Sequence, residues 1–467
     1  MFIGRKNELN SLNNSYNKGS FQFPVIYGRR RVGKTTLIKE FCKDKKFIYF
    51  VAIQSTLKEN LAILSAQILA ALVPNSPSNP FSSFREAIKY VFECAKTEQF
   101  VFVIDEYPYL AASDISVSSV LQAAIDEYQG ASNLFLILCG SSMSFMENQV
   151  LGYKSPLYGR RTAQYKLLPF DYLDSAGMLL GFTNEEKIIL YGITSGIPEY
   201  LARIDNTLSM KANIINQLFD ASGRLFEEPT NLLKQELRTP ETYNAIISAI
   251  AGGSSKLNEI ATKVGIETSQ CSKMLSSLIG LGLVRKEYPI TASHSKRSIY
   301  ILDDWMFIFW YRFVQPDLSR IIGGFGEKVF DEAFNGQLSS HIGFVFEECA
   351  RQYMWRAMET DLVPMHFKKI GRWWGTNHVE KREEEIDFIA ISDDNAIFGE
   401  CKWRNTQIGE ETLADIKRKS NLFSEFAHKE LYLFSKSGFT SELNNRSKRE
   451  GNITLIGVDD MFMRIGE

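Results

Sequence analysis

FPVIYGRRRVGKTTLIKEFCK, Phe23 to Lys43, decides the fold. An apolar run, a loop bounded by glycines and an amphipathic stretch follow one another. The loop fills every position of G-x-x-x-x-G-K-[ST] with Gly28, Gly33, Lys34 and Thr35. Such a loop needs glycines so that backbone N–H groups can turn inward onto phosphate oxygens. It needs the lysine to bridge the terminal phosphates, and a hydroxyl to hold Mg2+. The positive N-terminal end of the following helix adds to the pull on an anion. The expected ligands are therefore ATP and Mg2+, with Arg29, Arg30, Arg31, Val32 and Thr36 completing the loop around the four signature positions.

The rest of the chain bounds the reading. A length of 467 residues predicts two to four domains. Hydrophobic content of 45% and charged content of 23% are those of an ordinary globular protein. A net charge of -2 gives no global sign of a nucleic-acid or membrane binder, so any such surface must be local. The cysteines at 42, 94, 139, 271, 349 and 401 are scattered, with no C-x-x-C pair. That argues against a zinc site and a disulfide framework, and predicts a reducing, cytoplasmic setting. No apolar run approaches the roughly 18 residues that span a bilayer, so no membrane partner is expected. The opening MFIGRKNEL carries no signal-peptide pattern.

The next chemistry is FVFVIDEYPYL, residues 100–110. Val101 to Ile104 read as a buried parallel strand, and Asp105 and Glu106 follow at its C-terminal end, where α/β sheets place ligands. Asp105 is the type to hold the hydration shell of Mg2+. Glu106 is the type to orient and deprotonate an attacking water. A third apolar run, LFLILCGSS, ends in Gly140, Ser141 and Ser142. Either serine suits a γ-phosphate or water contact, and either suits a helix N-cap. Arg160 and Arg161 in SPLYGRRT read equally as a finger on the γ-phosphate or as a surface pair.

This first part resembles the AAA+-like ATPases, specifically the STAND-type archaeal and bacterial group. FIGRKNEL resembles the family's F-x-G-R-x-x-E-L box, which implies that Gly4 and Arg5 lie near the adenine. The phosphate loop and the IDE strand follow in order. SGIPEYL, residues 195–201, resembles the G-x-P element of a helical lid, which implies nucleotide contact near Pro198. The interval from Lys34 to Asp105 leaves room for the extra strand and helices of the family's sheet. The resemblance spans about residues 1–220 and implies slow ATP hydrolysis used as a switch.

Residues 240–302 change character. YNAIISAIA, KLNEIATKV and QCSKMLSSLIGLG are amphipathic helical patterns, and LVRKEYPI and SIYILDD are β-like, joined by the basic TASHSKR. Three helices and a basic hairpin look like a winged helix. The third helix would offer Ser269, Gln270, Ser272 and Lys273 to DNA, and the wing His294, Lys296 and Arg297. The alternative is a brace between domains, because the third helix carries little positive charge. The aromatic DDWMFIFWYRFV, residues 303–314, predicts a core helix docking this segment to the last domain.

The last part carries a second constellation. HIGFVFEECARQYM reads as a helix with Glu347, and EEEIDFIAIS and AIFGECKWRN as strands with Asp387 and then Glu400 and Lys402. Period-2 alternation puts Glu400 and Lys402 on one face. Carboxylates can bind Mg2+ and the lysine can stabilise developing charge. A pair of edge-strand charges is the plainer reading, but acids inside buried apolar strands would cost several kcal/mol unpaired. The pattern resembles the PD-(D/E)XK nuclease-like fold. Together with YILDDWMFIFWYRF and GECKW it resembles the DUF234-type region found on archaeal-type ATPases, over about residues 240–465. It departs from the nuclease motif in having Ile386, not proline, before Asp387.

The expected fold is α/β: a P-loop NTPase parallel sheet over residues 1–170, a helical lid over 171–238, a winged-helix domain over 239–315 and a restriction-endonuclease-like α/β domain over 316–467. The expected function is a Mg2+-dependent ATPase coupled to a DNA-directed nuclease-like domain. The alternative is a nucleotide-dependent switch or scaffold that binds DNA or protein without cutting. The expected partners are ATP, double-stranded DNA and, if an arginine finger is supplied in trans, a second copy of the chain as a homo-oligomer.

Overall fold

Buried apolar runs set the first half. The computed structural model describes residues 2–73, 80–291, 297–377 and 380–463. It divides into two compact units, Met1–Pro169 and Phe170–Glu467. The first is built on a five-stranded parallel sheet of β1 (Pro24–Tyr27), β2 (Phe47–Val51), β3 (Val101–Asp105), β4 (Phe135–Gly140) and β5 (Ala163–Lys166). The order is β2-β3-β4-β1-β5. Every residue of the central β1, β3 and β4 is buried, as expected of parallel strands covered on both faces. The outer β2 and β5 alternate between exposed and covered positions. Helices Lys34–Cys42, Leu57–Leu72, Phe84–Cys94 and Ser116–Tyr128 supply the cover. Thr56 and Ser83 cap two of these helices by accepting hydrogen bonds from the N–H of Glu59 and Glu86.

The strand order fixes where chemistry can gather. β4 lies between β1 and β3, so the residues after it stand between the phosphate loop and the acidic strand end. No Cβ fits at Gly140, where it would fall 2.8 Å from both Met146 Sδ and Pro108 Cδ.

The second unit contains helices from 170 onward, then a mixed sheet. Three helices, Pro240–Ala251, Leu257–Val264 and Thr268–Gly280, precede an antiparallel pair, β6 (Val284–Glu287) and β7 (Ile299–Leu302). His294 and Lys296 lie outside the described residues. The aromatic stretch forms helical turns Trp305–Phe309 and Trp310–Val314, begun by the Asp304 carboxylate, which accepts from the Phe307 N–H. It does dock two neighbours. Tyr311 OH donates to Asn244 Oδ1 at 2.6 Å, and Trp305, Phe309 and Phe313 pack edge-on around the His341 ring. The long helix Leu338–Glu359 then leads into β8 (Lys369–Asn377), β9 (Arg382–Ser392), β10 (Asn395–Lys402), β11 (His428–Ser435) and β12 (Ile453–Gly457). Their order is β12-β11-β10-β9-β8, antiparallel from β8 to β10 and parallel from β10 to β12. Among the described residues no helix is long and apolar enough to cross a membrane, and all six cysteines are free.

A close helix contact ties the segment after residue 170 to the long helix. Gly192, on helix Asn184–Thr194, leaves no room for a Cβ, which would lie 2.7 Å from Val345. Its carbonyl accepts a hydrogen bond of 3.0 Å from His341 Nε2. His341 is fully buried, and burial drives its pKa down from 6.5 to about 4. Between those values the unfolded chain holds a proton that the folded chain refuses. Stability is therefore complete above pH 6.5 and is lost as pH falls toward 4, by up to about 3 kcal/mol. His341→Gln keeps a donor and removes the titration. Its denaturation midpoint, followed from pH 7 to pH 4, should fall less steeply than that of the parent chain. Equal slopes would show that His341 does not contribute.

Candidate functional site

The loop between β1 and helix Lys34–Cys42 is shaped by its ends. At Gly28 a Cβ would sit 2.3 Å from the Leu167 carbonyl oxygen. Gly33 takes φ +90° and turns the chain into the helix, a conformation that costs other residues roughly 1 kcal/mol or more. Val32 is fully buried beneath the loop, while Thr35 and Thr36 open the helix on its exposed side. The Lys34 ammonium is buried and donates to the carbonyls of Gly28 and Arg29, each at 2.9 Å. Burial lowers its pKa, against the opposing pull of Cys139, Glu106 and Asp105. Arg30 donates to the Tyr109 hydroxyl at 3.0 Å. Arg31 takes φ +73° within the loop.

Asp105 ends β3 beside this loop. Its Oδ2 accepts from Thr35 Oγ1 at 3.3 Å and from Tyr49 OH at 2.6 Å, and its Oδ1 accepts from the Glu106 N–H at 2.9 Å. Burial, then the Asp105 charge, pushes the Tyr49 phenol far above its usual range, so Tyr49 remains a donor. Thr35 and Asp105 together offer the hydroxyl and carboxylate oxygens that Mg2+ takes. Glu106 carries a left-handed backbone, φ +50°. Ser141 donates to its carboxylate, 3.1 Å from Oε1 and 2.9 Å from Oε2. Ser142 instead precedes the short turn Met143–Phe145 and makes no side-chain cap bond. The serine pair thus divides, and the residue after β4 holds the acid after β3.

Gly4 and Arg5 both adopt left-handed backbones. The Arg5 guanidinium donates to the Val32 carbonyl at 3.2 Å and to the Leu168 carbonyl, and pairs with Glu8. The opening box therefore braces the phosphate loop from beneath. Arg160 is gripped by Asp126 through two bonds of 2.7 Å, so it would act on a phosphate only after leaving that carboxylate. Arg161 lines a separate surface recess with Tyr158, Gly159 and Gln164. Pro198 starts the short helix Pro198–Leu201 of the second unit.

The second constellation lies within that unit. Asp387 on β9 feels the charge of Glu347 on the long helix, while Glu400 on β10 is approached by Lys419 of helix Glu410–Ser420. Burial, then the neighbouring charge of Asp387, pushes Glu347 up, and burial with Glu400 does the same to Asp387. Lys402 bonds Glu400 Oε1, and Lys419 stands 3.8 Å from Oε2. Burial lowers the Lys402 pKa, but Glu400 and Asp387 outweigh it and the net shift is upward. The acids influence one another, yet among the described residues no three acidic, histidine or cysteine side chains are gathered around one metal position. Glu347, Asp387 and Glu400, expected as one ligand set, each have other partners. Asp387 Oδ2 is taken by the Cys401 N–H at 2.7 Å, Arg372 stands 3.7 Å from Glu347, and Lys402 holds Glu400. Glu400 Oε2 is buried without a hydrogen bond, an oxygen of the type a divalent ion takes.

Just beyond β6, the Ile290 N–H donates to the Arg372 carbonyl at 2.9 Å, and Lys369 Nζ donates to the Ile290 carbonyl. Ile290 packs against Gly371 of β8. The base of the hairpin is thus fastened to the C-terminal sheet. Ser269, Gln270 and Lys273 on helix Thr268–Gly280 remain exposed, Ser272 is half-buried, and Arg297 is exposed.

Residues 2–204 match a family described as an ATPase domain predominantly from Archaea. Residues 310–416 match DUF234, described as archaeal and bacterial proteins of unknown function. An uncharacterized protein of Methanocaldococcus jannaschii is 31% identical over 466 residues, covering 98% of this chain and 100% of that protein. An uncharacterized ATP-binding protein of the same organism is 50% identical over 46 residues, 10% of this chain and 78% of that protein. The Walker-type ATPase of Pyrococcus abyssi has a similar structure, with a TM-score of 0.50 at 20% identity over 67% of this chain and 96% of that one.

Lys402 should be needed chiefly because Glu400 is buried. Lys402→Met leaves that carboxylate with Lys419 alone and should cost about 2 kcal/mol, a figure reduced because Lys402 is itself one-third exposed. Adding Glu400→Gln should recover most of the loss in a denaturation measurement. If the double variant is no more stable than Lys402→Met, the pair is not coupled.

Proposed function

The chain belongs to a family of archaeal ATPases that carry a DUF234 region, and from that premise we propose that it is a Mg2+-dependent ATPase that drives a DNA-directed nuclease-like domain. In this reading Gly28 to Thr36 bind the phosphates of ATP. Lys34 moves from the carbonyls of Gly28 and Arg29 onto the β- and γ-phosphates. Thr35 and Asp105 would hold Mg2+, which when bound neutralises charge on the phosphates. Tyr49 and Thr35 orient Asp105 for that task. Glu106 takes the proton of the attacking water, and Ser141 fixes its carboxylate while it does so. Arg5 and Gly4 support the loop near the adenine, and Pro198 begins the lid. Arg160 or Arg161 acts as the finger, supplied by a second copy of the chain. The setting is the cytoplasm.

The single observation that carries the hydrolytic part is the chain of contacts Tyr49–Asp105–Thr35 beside Ser141–Glu106. It separates a carboxylate committed to metal from one held for water. For the C-terminal domain, Glu347, Asp387 and Glu400 would hold the metal, and Lys402 would stabilise charge on the cleaved phosphate. Exposed Ser269, Gln270 and Lys273 would meet double-stranded DNA.

A second reading is favoured by two specific observations. Among the described residues no three acidic, histidine or cysteine side chains are gathered around one metal position, and the hairpin base is fastened to β8. Both suit a nucleotide-dependent switch in which the middle segment is a brace and nothing is cut.

Glu106→Gln should bind Mg-ATP as the parent does and lose turnover by about 10²-fold or more, as loss of a general base predicts. Lys34→Ala should lose tight binding itself. A Glu106→Gln chain that loses affinity and turnover together would make Glu106 a structural residue.

Cleavage is tested with duplex DNA, Mg2+ or Mn2+, and ATP, on the parent chain and on Asp387→Asn. Metal-dependent cutting that disappears in Asp387→Asn carries the first reading. No cutting by the parent under any of these conditions leaves the switch.

A further inference from the structure

The second unit holds a cavity of about 280 Å³ that the ATPase reading does not use. It lies among helix Pro240–Ala251, β7, the aromatic helical turns, the long helix and β8. Its wall includes Arg285, Arg312, Arg351 and Arg372. Four guanidinium groups around one small space need counter-charge, and the acids present do not balance them evenly. Arg285 is paired with Asp303 at 2.5 Å and Glu287 at 3.2 Å. Arg351 is paired with Glu348 at 2.8 Å. Arg372 is shared loosely, at 3.5 Å from Glu287, 3.7 Å from Glu347 and 3.8 Å from Glu385. Arg312 has no carboxylate within ion-pair distance among the described residues. Its guanidinium rests only over the neighbouring Phe313 ring, 5.4 Å from the centroid. Burial alone lowers its pKa, with no acid opposing it.

A half-buried arginine without a partner is costly to keep unless something anionic visits it. The fork of a guanidinium matches a phosphate or carboxylate by paired hydrogen bonds. The rest of the wall selects between anions. Tyr300 and Trp305 line the same space and are half-buried, with Lys286 Nζ 5.6 Å from the centroid of the Tyr300 ring. The volume is near the lower end of small-ligand pockets, roughly 300 Å³, and too large for a bare inorganic ion.

We propose that this cavity binds a nucleoside monophosphate unit, its phosphate held by Arg312 and Arg372 and its base laid against Tyr300 and Trp305. Base stacking on aromatic rings is tolerant of sequence and suits either a free nucleotide or the end of a strand. Both sources present the same phosphomonoester and ring. Glu347 also lines the cavity, so an occupant lies beside the acids of the C-terminal domain. The site does not depend on whether those acids cut DNA.

The test uses the full chain, with the phosphate loop saturated by a nonhydrolysable ATP analogue and Mg2+. Deoxyadenosine 5′-monophosphate is titrated by calorimetry and should bind one per chain. Deoxyadenosine and inorganic phosphate should each bind about tenfold more weakly or worse, since each lacks one half of the recognised group. Arg312→Ala should weaken the nucleotide about tenfold or more while the ATP analogue binds as before, and Arg312→Lys should recover part of the loss. Two further arms separate the sources. A 5′-phosphorylated oligonucleotide that competes, where its 5′-hydroxyl twin does not, identifies a strand end. Competition by neither oligonucleotide, with the mononucleotide bound, identifies a free nucleotide. The proposal is overturned if the parent chain binds no nucleotide at millimolar concentration, if inorganic phosphate binds as well as the nucleotide, or if Arg312→Ala binds it unchanged. Should Arg312→Ala fail to bind the ATP analogue, Tyr300→Ala replaces it, with the same loss expected and the same retention overturning the proposal.

Discussion

A parallel strand covered on both faces has nowhere to keep a polar side chain except at or past its last residue. β1, β3 and β4 are buried at every position, so their chemistry is pushed to the carboxyl ends. There the order β3-β4-β1 brings three chain segments side by side. The first contributes Asp105 and Glu106, the second Ser141 and the third the loop from Gly28. None of these groups is close to another in sequence except the two acids. The sheet order alone makes them neighbours, and the hydrogen bonds between Thr35 and Asp105 and between Ser141 and Glu106 follow from it.

The second unit breaks that rule, and the break identifies its site. Asp387 precedes the buried apolar run Phe388–Ile391 of β9, and Glu400 is buried on β10, where an unpaired charge costs several kcal/mol. The cost is offset piecemeal. The Cys401 N–H serves Asp387, Lys402 serves one oxygen of Glu400, and Lys419 approaches the other. Replacing the acids by apolar residues would satisfy this sheet with less machinery. Keeping them therefore suits a domain that must present carboxylates to something.

Much of this was legible in the sequence because it depends on local pattern. The loop signature, the apolar run before Asp105 and Glu106, and the alternation that sets Glu400 with Lys402 all lie within a few residues. What was not legible depends on partners far apart in the chain. Tyr49 sits in FIYFV, where its ring reads as packing, and only the pairing of β2 with β3 turns its hydroxyl onto Asp105. The Arg160 pairing with Asp126 spans 34 residues, and no spacing rule covers it. The hairpin base is bound to β8 through Ile290, an apolar residue with no pattern to mark it. The three acids were legible as types, whereas Arg372 beside Glu347 and the Cys401 N–H on Asp387 were not.

The backbone at Glu106 links the two levels of description. A glutamate at φ +50° stands in a region that costs roughly 1 kcal/mol or more without a glycine. Such a conformation persists only where surrounding bonds over-determine it. Here they do: the Glu106 N–H is bound to Asp105 Oδ1, its carboxylate is held by Ser141, and its carbonyl accepts from the Tyr109 N–H. A relaxed backbone would carry the side chain along the strand direction and away from Ser141. The strained turn instead presents the carboxylate toward the end of β4, one strand nearer the phosphate loop. The sheet supplies the neighbours, and this single left-handed residue supplies the aim.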